Sequence, residues 1–364
     1  MPDALKDLFY QSEFYEDVIE ALKEIYPDFN GALFKSTLYD RVWQERSLKE
    51  RMRHTSLALA EQFPADFQEA LHILRQLLPR VKKYGFEKMI FPDYVELFGL
   101  DNWEASLSAL EEFTQQMSAE FAVRRFIIKD PDRMMCQMLT WAEHDHESVR
   151  RLASEGCRPR LPWAVALTDF QKNPELILPV LEKLKNDPSE SVRRSVANNL
   201  NDISKDHPQI VVDLLQNWQQ DESTEMKNLI KHALRTLIKQ GHMGALQLLG
   251  YSQLISLSLK DFSISPIDIK IGESIKISFS LISNTEKTND LMIDYGMYFM
   301  RSNGKPTRKV FKLAQKTIRP GETLMFTKTH SFAEITTRRY YPGKHAVEIQ
   351  VNGQVLGKQE FNIR

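Results

Sequence analysis

Cysteine is almost missing from this chain: Cys136 and Cys157 are the two in 364 residues. Their spacing fits no metal-ligand pattern, so they read as reduced thiols of a cytoplasmic protein. Long apolar runs are missing too. None approaches the roughly 18 residues of a membrane span. Met1-Pro2-Asp3-Ala4 has no basic stretch leading into an apolar core, so no secretory signal is expected. A dominant charge sign is lacking as well: 48 Lys+Arg stand against 49 Asp+Glu, a formal net charge of −1. Polyanion binding through overall charge is thereby excluded, and only a local basic surface remains open. Glycine is scarce and β-branched runs are short through residues 3–117.

What is present is ordinary in bulk and uneven in detail. The 42% hydrophobic and 10% aromatic content suits a globular core, and the length suggests about two domains. Residues 251–364 carry 17 Lys+Arg and 10 Asp+Glu, a surplus of +7 that leaves −8 for the remainder. Ser148-Val149-Arg150-Arg151 and Ser191-Val192-Arg193-Arg194 open two helical patterns 43 residues apart. That offset falls within the roughly 40–47-residue period of HEAT-type helical repeats. Turn formers and acids lead each copy, Glu143–Glu147 and Asp187-Pro188-Ser189-Glu190, which favours helix initiation there. Ala122-Val123-Arg124-Arg125 and the helix from Glu225 read as diverged copies. Helical spacing also runs through residues 3–26, 47–62, 65–78 and 102–117, with Pro64, Pro79 and Pro92 as separators. Residues 1–250 are therefore expected to form an all-α HEAT-like solenoid.

At about residue 250 the period changes. Ile269, Ile271, Ile275, Ile277, Phe279 and Leu281 alternate at a spacing of two, broken by Gly272-Glu273. Ser302-Asn303-Gly304, Arg319-Pro320-Gly321-Glu322 and Asn352-Gly353 read as turns. About seven short strands are expected over residues 255–364, a small all-β sandwich of immunoglobulin type with Tyr340 or Tyr341 as a tyrosine corner. The protein thus reads as multidomain, a helical solenoid followed by a sandwich. The basic sandwich residues Lys305, Arg308, Lys309, Lys312, Arg338 and Arg339 either touch a polyanion or belong to a stabilising accessory domain.

Three acids stand out in the helical part: Glu120, Glu155 and Asp202. An acid on a repeat helix is most often solvated or ion-paired, and a tryptophan such as Trp163 is most often packed. Arg158-Pro159-Arg160-Leu161-Pro162-Trp163 is less ordinary, because two prolines stiffen a loop holding two arginines and an aromatic. Glu143-His144-Asp145-His146-Glu147 has its histidines at i and i+2, which do not share a helix face, so it reads as a capping turn and no metal site is expected.

Ala119-Glu120-Phe121-Ala122-Val123-Arg124, Arg150-Arg151-Leu152-Ala153-Ser154-Glu155-Gly156, Arg160-Leu161-Pro162-Trp163-Ala164 and the run Ser191–Asp202 resemble the AlkC branch of the AlkC/AlkD DNA glycosylases. Leu48–His54 and Phe98-Gly99-Leu100 fit the same family, so the resemblance covers residues 1–250. Some members carry an added immunoglobulin-like domain. The resemblance implies excision of cationic alkylated bases, N3-methyladenine and N3-methylcytosine, from double-stranded DNA, without flipping the base into a deep pocket and without metal or cofactor. It implies Glu120, Glu155 and Asp202 as the active-site acids, with Trp163 beside the lesion sugar. Trp141 and Asp145 imitate a Trp–Asp spacing of the AlkD branch, but Trp141 reads as core.

Acids beside a polyanion need cations around them. Arg150, Arg151, Arg158, Arg160, Arg193, Arg194 and Lys205 are the expected DNA-contacting set, at repeat-equivalent places. The competing readings are a helical scaffold for an acidic protein partner and a non-catalytic sensor of alkylated DNA. A monomer is expected in each case, with no membrane partner.

Overall fold

The computed structural model describes residues 5–252, 255–336 and 338–364. The amino-terminal tetrapeptide bearing on a signal sequence lies outside them. Sixteen α-helices occur among the described residues. The first eight are α1 (Ser12–Ile25), α2 (Gly31–Leu38), α3 (Leu48–Ala60), α4 (Phe67–Leu77), α5 (Ile90–Phe98), α6 (Trp103–Thr114), α7 (Val123–Lys129) and α8 (Pro131–Trp141). They continue as α9 (Glu147–Gly156), α10 (Thr168–Lys172), α11 (Leu178–Leu184), α12 (Glu190–Ile203), α13 (Pro208–Trp218), α14 (Thr224–Ala233), α15 (Arg235–Gln240) and α16 (Met243–Leu248).

The helix starts are written in short polar side chains. Asn30 accepts from the backbone N–H groups of Ala32 and Leu33, Asp66 from Glu69, and Asp130 from Arg133. Each satisfies donors that have no partner inside the helix. Pro131 and Pro208 sit at the first position of their helices, where a missing N–H costs nothing. The same physics corrects the reading of Pro92 as a separator. It lies within the first turn of α5, whose N–H groups have no acceptor in any case.

Packing divides the chain into two compact units, residues up to Ile203 and Ser204–Arg364. The change from helix to strand near residue 250 falls inside the second. In the first unit α3 packs on α5, α5 on α7 and α9 on α12, while α1 packs on α4 and α8 on α11. Two rows of stacked helices are the HEAT-like arrangement.

In the second unit α13 packs on α16, and the strands form two sheets. They are β1 (Leu257–Ser265), β2 (Asp268–Ile269), β3 (Ser274–Ser283), β4 (Asn289–Met300), β5 (Pro306–Ile318), β6 (Thr323–Ser331), β7 (Gly343–Val351) and β8 (Gln354–Ile363). The sheets have the orders β1-β3-β6 and β2-β8-β7-β4-β5. The alternating side chains Ile275, Ile277, Phe279 and Leu281 of β3 enter the core between the sheets with Leu291, Ile293, Val347 and Ile349. Asn352 and Gly353 both have positive φ, 45° and 82°, as a two-residue hairpin turn requires. Tyr340 is buried against Phe299 and Phe332.

Candidate active site

The carboxylates singled out from the sequence converge in the first unit. Arg158, just past the end of α9, donates from Nη1 to Glu155 Oε1 at 2.7 Å and from Nε to Asp202 Oδ2 at 2.9 Å. Glu155 lies in the last turn of α9 and Asp202 in the last turn of α12, so one guanidinium joins two neighbouring repeats. Arg151 continues the pattern outward. Its Nη1 donates to Glu120 Oε2 at 3.1 Å, and its Nη2 lies 3.6 Å from Glu155 Oε1. The result is an alternating row, Glu120–Arg151–Glu155–Arg158–Asp202. It deepens along its length: side-chain exposure is 17% for Glu120, 6% for Glu155 and 2% for Asp202.

Glu120 and Glu155 are fixed further by hydroxyls. Ser118 Oγ donates to Glu120 at 2.7 Å. Ser195 Oγ donates to Glu155 Oε2 at 2.6 Å and accepts from Ser154 Oγ at 2.7 Å. Burial alone pulls the Arg158 guanidinium toward neutrality, but Glu155 and Asp202 outweigh it and raise its affinity for the proton. Small polar residues, Ser154, Ser195 and Asn199, form the α9–α12 seam and let the helices approach closely. Asn199 donates to the Ser154 carbonyl at 2.8 Å and to Cys157 Sγ at 3.3 Å. Burial pushes the Cys157 thiol up to about 12, which makes it a packing residue and no nucleophile.

Trp163 stands apart from the other aromatics. It is 59% exposed and holds φ at +64°, a left-handed conformation that a bulky residue adopts only when its surroundings impose it. The surroundings are visible. The fully buried Arg124 of α7 donates to the Gly156 carbonyl at 3.0 Å, to Arg158 at 2.8 Å and to Val165 at 2.6 Å. It thereby clasps both ends of the loop that carries Trp163. Burial lowers the Arg124 pKa to about 10. Nothing in the sequence marked Arg124 as different from the other repeat arginines; only its place beneath the loop does.

Three of the expected DNA-contacting arginines are engaged within the fold. Arg150 grips Asp187 with two hydrogen bonds, 2.6 and 3.1 Å, and donates to the His144 and Asp145 carbonyls. Arg193 donates to the Asp187 and Pro188 carbonyls at 2.5 and 2.9 Å. Both reach the carbonyls five and six residues earlier, so the first arginine of each repeat clasps the turn before its own helix. Arg158 is the third, turned inward to the acids. Arg151 lies in the acid row, Arg160 is half-buried, and Arg194 is exposed. Lys205, also exposed, belongs to the second unit.

Two other candidates resolve into structural roles. His146 Nδ1 accepts from the Ser148 N–H at 3.2 Å and caps α9, as the capping-turn reading expected. Trp141 is buried and donates from Nε1 to Glu111 at 2.6 Å. Among the described residues no helix is long and apolar enough to cross a membrane.

A HEAT-like helical unit whose repeats enclose a row of acids and arginines, with a displayed tryptophan on the loop after Arg158, followed by an immunoglobulin-like sandwich, defines the class. A model of the DNA alkylation repair enzyme family matches residues 114–237, and one of the YhaZ C-terminal Ig-like domain matches residues 258–364. The chain is 43% identical to the uncharacterized protein YhaZ of Bacillus subtilis (strain 168) over 359 residues, 99% of each chain. It matches the Pseudomonas fluorescens alkylpurine DNA glycosylase AlkC, bound to DNA containing an abasic site analog, with a TM-score of 0.93 and 38% identity over 100% of both chains. The chain belongs to the AlkC family of DNA alkylation repair proteins, in the form that ends in an immunoglobulin-like domain.

Proposed function

We propose that this protein is an alkylpurine-type DNA glycosylase that excises cationic alkylated bases, N3-methyladenine and N3-methylcytosine, from duplex DNA. The observation that carries the reading is the acid row, three carboxylates held by two arginines and most exposed at Glu120, with the exposed Trp163 on the loop that follows Arg158. A base methylated at N3 already carries a positive charge, so it leaves without prior protonation by a general acid. As its bond to C1′ breaks, the electron pair departs with the base and positive charge grows on the deoxyribose. Fixed carboxylates match that charge better in the transition state than in the ground state, the condition for acceleration.

Glu155 and Asp202 are assigned the electrostatic role, and Glu120, the most exposed of the three, a share in holding water. The water adds to C1′ and loses its proton, leaving a free base and an abasic site. The Trp163 ring offers its electron-rich face to the cationic sugar or base, a contact worth about 0.5–2 kcal/mol. Arg194, Arg160 and Lys205 are the side chains of the expected set assigned to the phosphates. With the acids fixed in the helix rows, the chemistry needs no deep pocket, and the base is proposed to remain outside one. Incubation of the protein in excess with methylated duplex, followed by chromatography of released bases, tests the proposal. Free N3-methyladenine is expected; tight binding without base release would replace the enzyme by a sensor.

A further inference from the structure

We propose that Lys49 is a positioning residue that holds the Trp163 loop in its displayed, left-handed form. Lys49 lies in the first turn of α3, more than a hundred residues from the loop in sequence. Its ammonium donates to the Trp163 carbonyl at 2.5 Å and sits 4.3 Å above the Phe121 ring. Phe121 follows Glu120, so one cation braces the loop and the outer end of the acid row together.

The choice of carbonyl gives the contact its consequence. Rotation about φ of Trp163 swings that residue's own carbonyl. Other loop bonds include Ala164 N–H to the Leu161 carbonyl at 3.3 Å, Leu167 N–H to the Pro159 carbonyl at 3.2 Å, and Arg124 Nε to the Val165 carbonyl at 2.6 Å. Of these, the Ala164 N–H shares a planar peptide with the Trp163 carbonyl, and its bond is the longest of the set; Lys49 makes the short bond to that unit. A charge-assisted bond to it opposes the return to negative φ that a tryptophan otherwise prefers. The ammonium is half-buried, and burial lowers its pKa, so it is not a freely solvated surface charge. Arg124 shapes the loop; Lys49 sets the ring.

This inference rests on the proposed role of Trp163, and its test separates the two. The other tryptophans, Trp43, Trp103, Trp141 and Trp218, are between 1% and 9% exposed. In full-length protein labelled with 5-fluorotryptophan, the Trp163 resonance is assigned by its loss in W163F. In K49M that resonance is expected to shift and narrow while the other four stay, and K49R is expected to restore it. Single-turnover excision by K49M should fall about tenfold, with affinity for abasic duplex changed less than about threefold, the signature of lost positioning. An unmoved Trp163 resonance in K49M overturns the proposal. Weaker binding with a salt slope lower by about 0.9 and an unmoved resonance would make Lys49 a phosphate contact instead. If W163A excises as fast as the wild type, the role of the ring fails, while the fluorine spectra still judge what Lys49 does to it.

Discussion

Replacing Arg158 by methionine removes the centre of the acid row while keeping much of the side chain's bulk. Arg158 is 8% exposed and compensates two carboxylates that are 6% and 2% exposed. Without it Glu155 keeps the Ser195 hydroxyl and the more distant Arg151, and Asp202 loses the guanidinium at 2.9 Å. Removing one partner of a buried ion pair costs about 3–5 kcal/mol, because a desolvated charge stays behind. Set against a domain stability of about 5–15 kcal/mol, that is a large part of the whole.

Urea unfolding followed by circular dichroism measures the deficit of R158M relative to wild type, and R158M/D202N should recover part of the loss. A deficit below about 1 kcal/mol, the worth of an exposed pair, refutes the account of the row as a buried network.

E155Q and D202N are expected to lower single-turnover excision by about 10²–10³ while abasic duplex still binds, because the acids act on charge that develops during the reaction; equal losses in binding and rate would remove them from the chemistry. R150A should unfold at lower urea, by about 1.5–3 kcal/mol for the lost charged hydrogen bonds, yet excise at the wild-type rate per folded molecule. The Asp93 carboxyl is raised to about 6 by burial, despite Arg53 at 2.9 Å. Its contribution is present below the unfolded value near 4 and lost as pH rises through about 6, so D93N should flatten the stability profile in that window. R194A should weaken duplex binding at low salt and reduce the log–log salt slope by about 0.9, read by titration at several salt concentrations.

The sequence by itself determined the two architectures. The 43-residue offset of the arginine-pair openings and the change to a period of two near residue 250 are local patterns. Local patterns survive because a helix or strand must bury one face, whatever its neighbours are. Glu155 and Asp202 are singled out by the resemblance of their surrounding motifs to the AlkC branch, and the repeat pattern alone does not distinguish them from other helix acids. The tertiary structure alone decided where the arginines point. Arg150, Arg151 and Arg158 look equivalent as letters, yet one clasps a turn, one bridges two acids and one lies buried between carboxylates from different repeats. Lys49 reaches the Trp163 carbonyl across 114 residues of chain. A long cationic side chain has many reachable partners, and which it takes depends on the desolvated acceptors that stacking brings within a hydrogen bond's length, a quantity no single stretch of sequence contains.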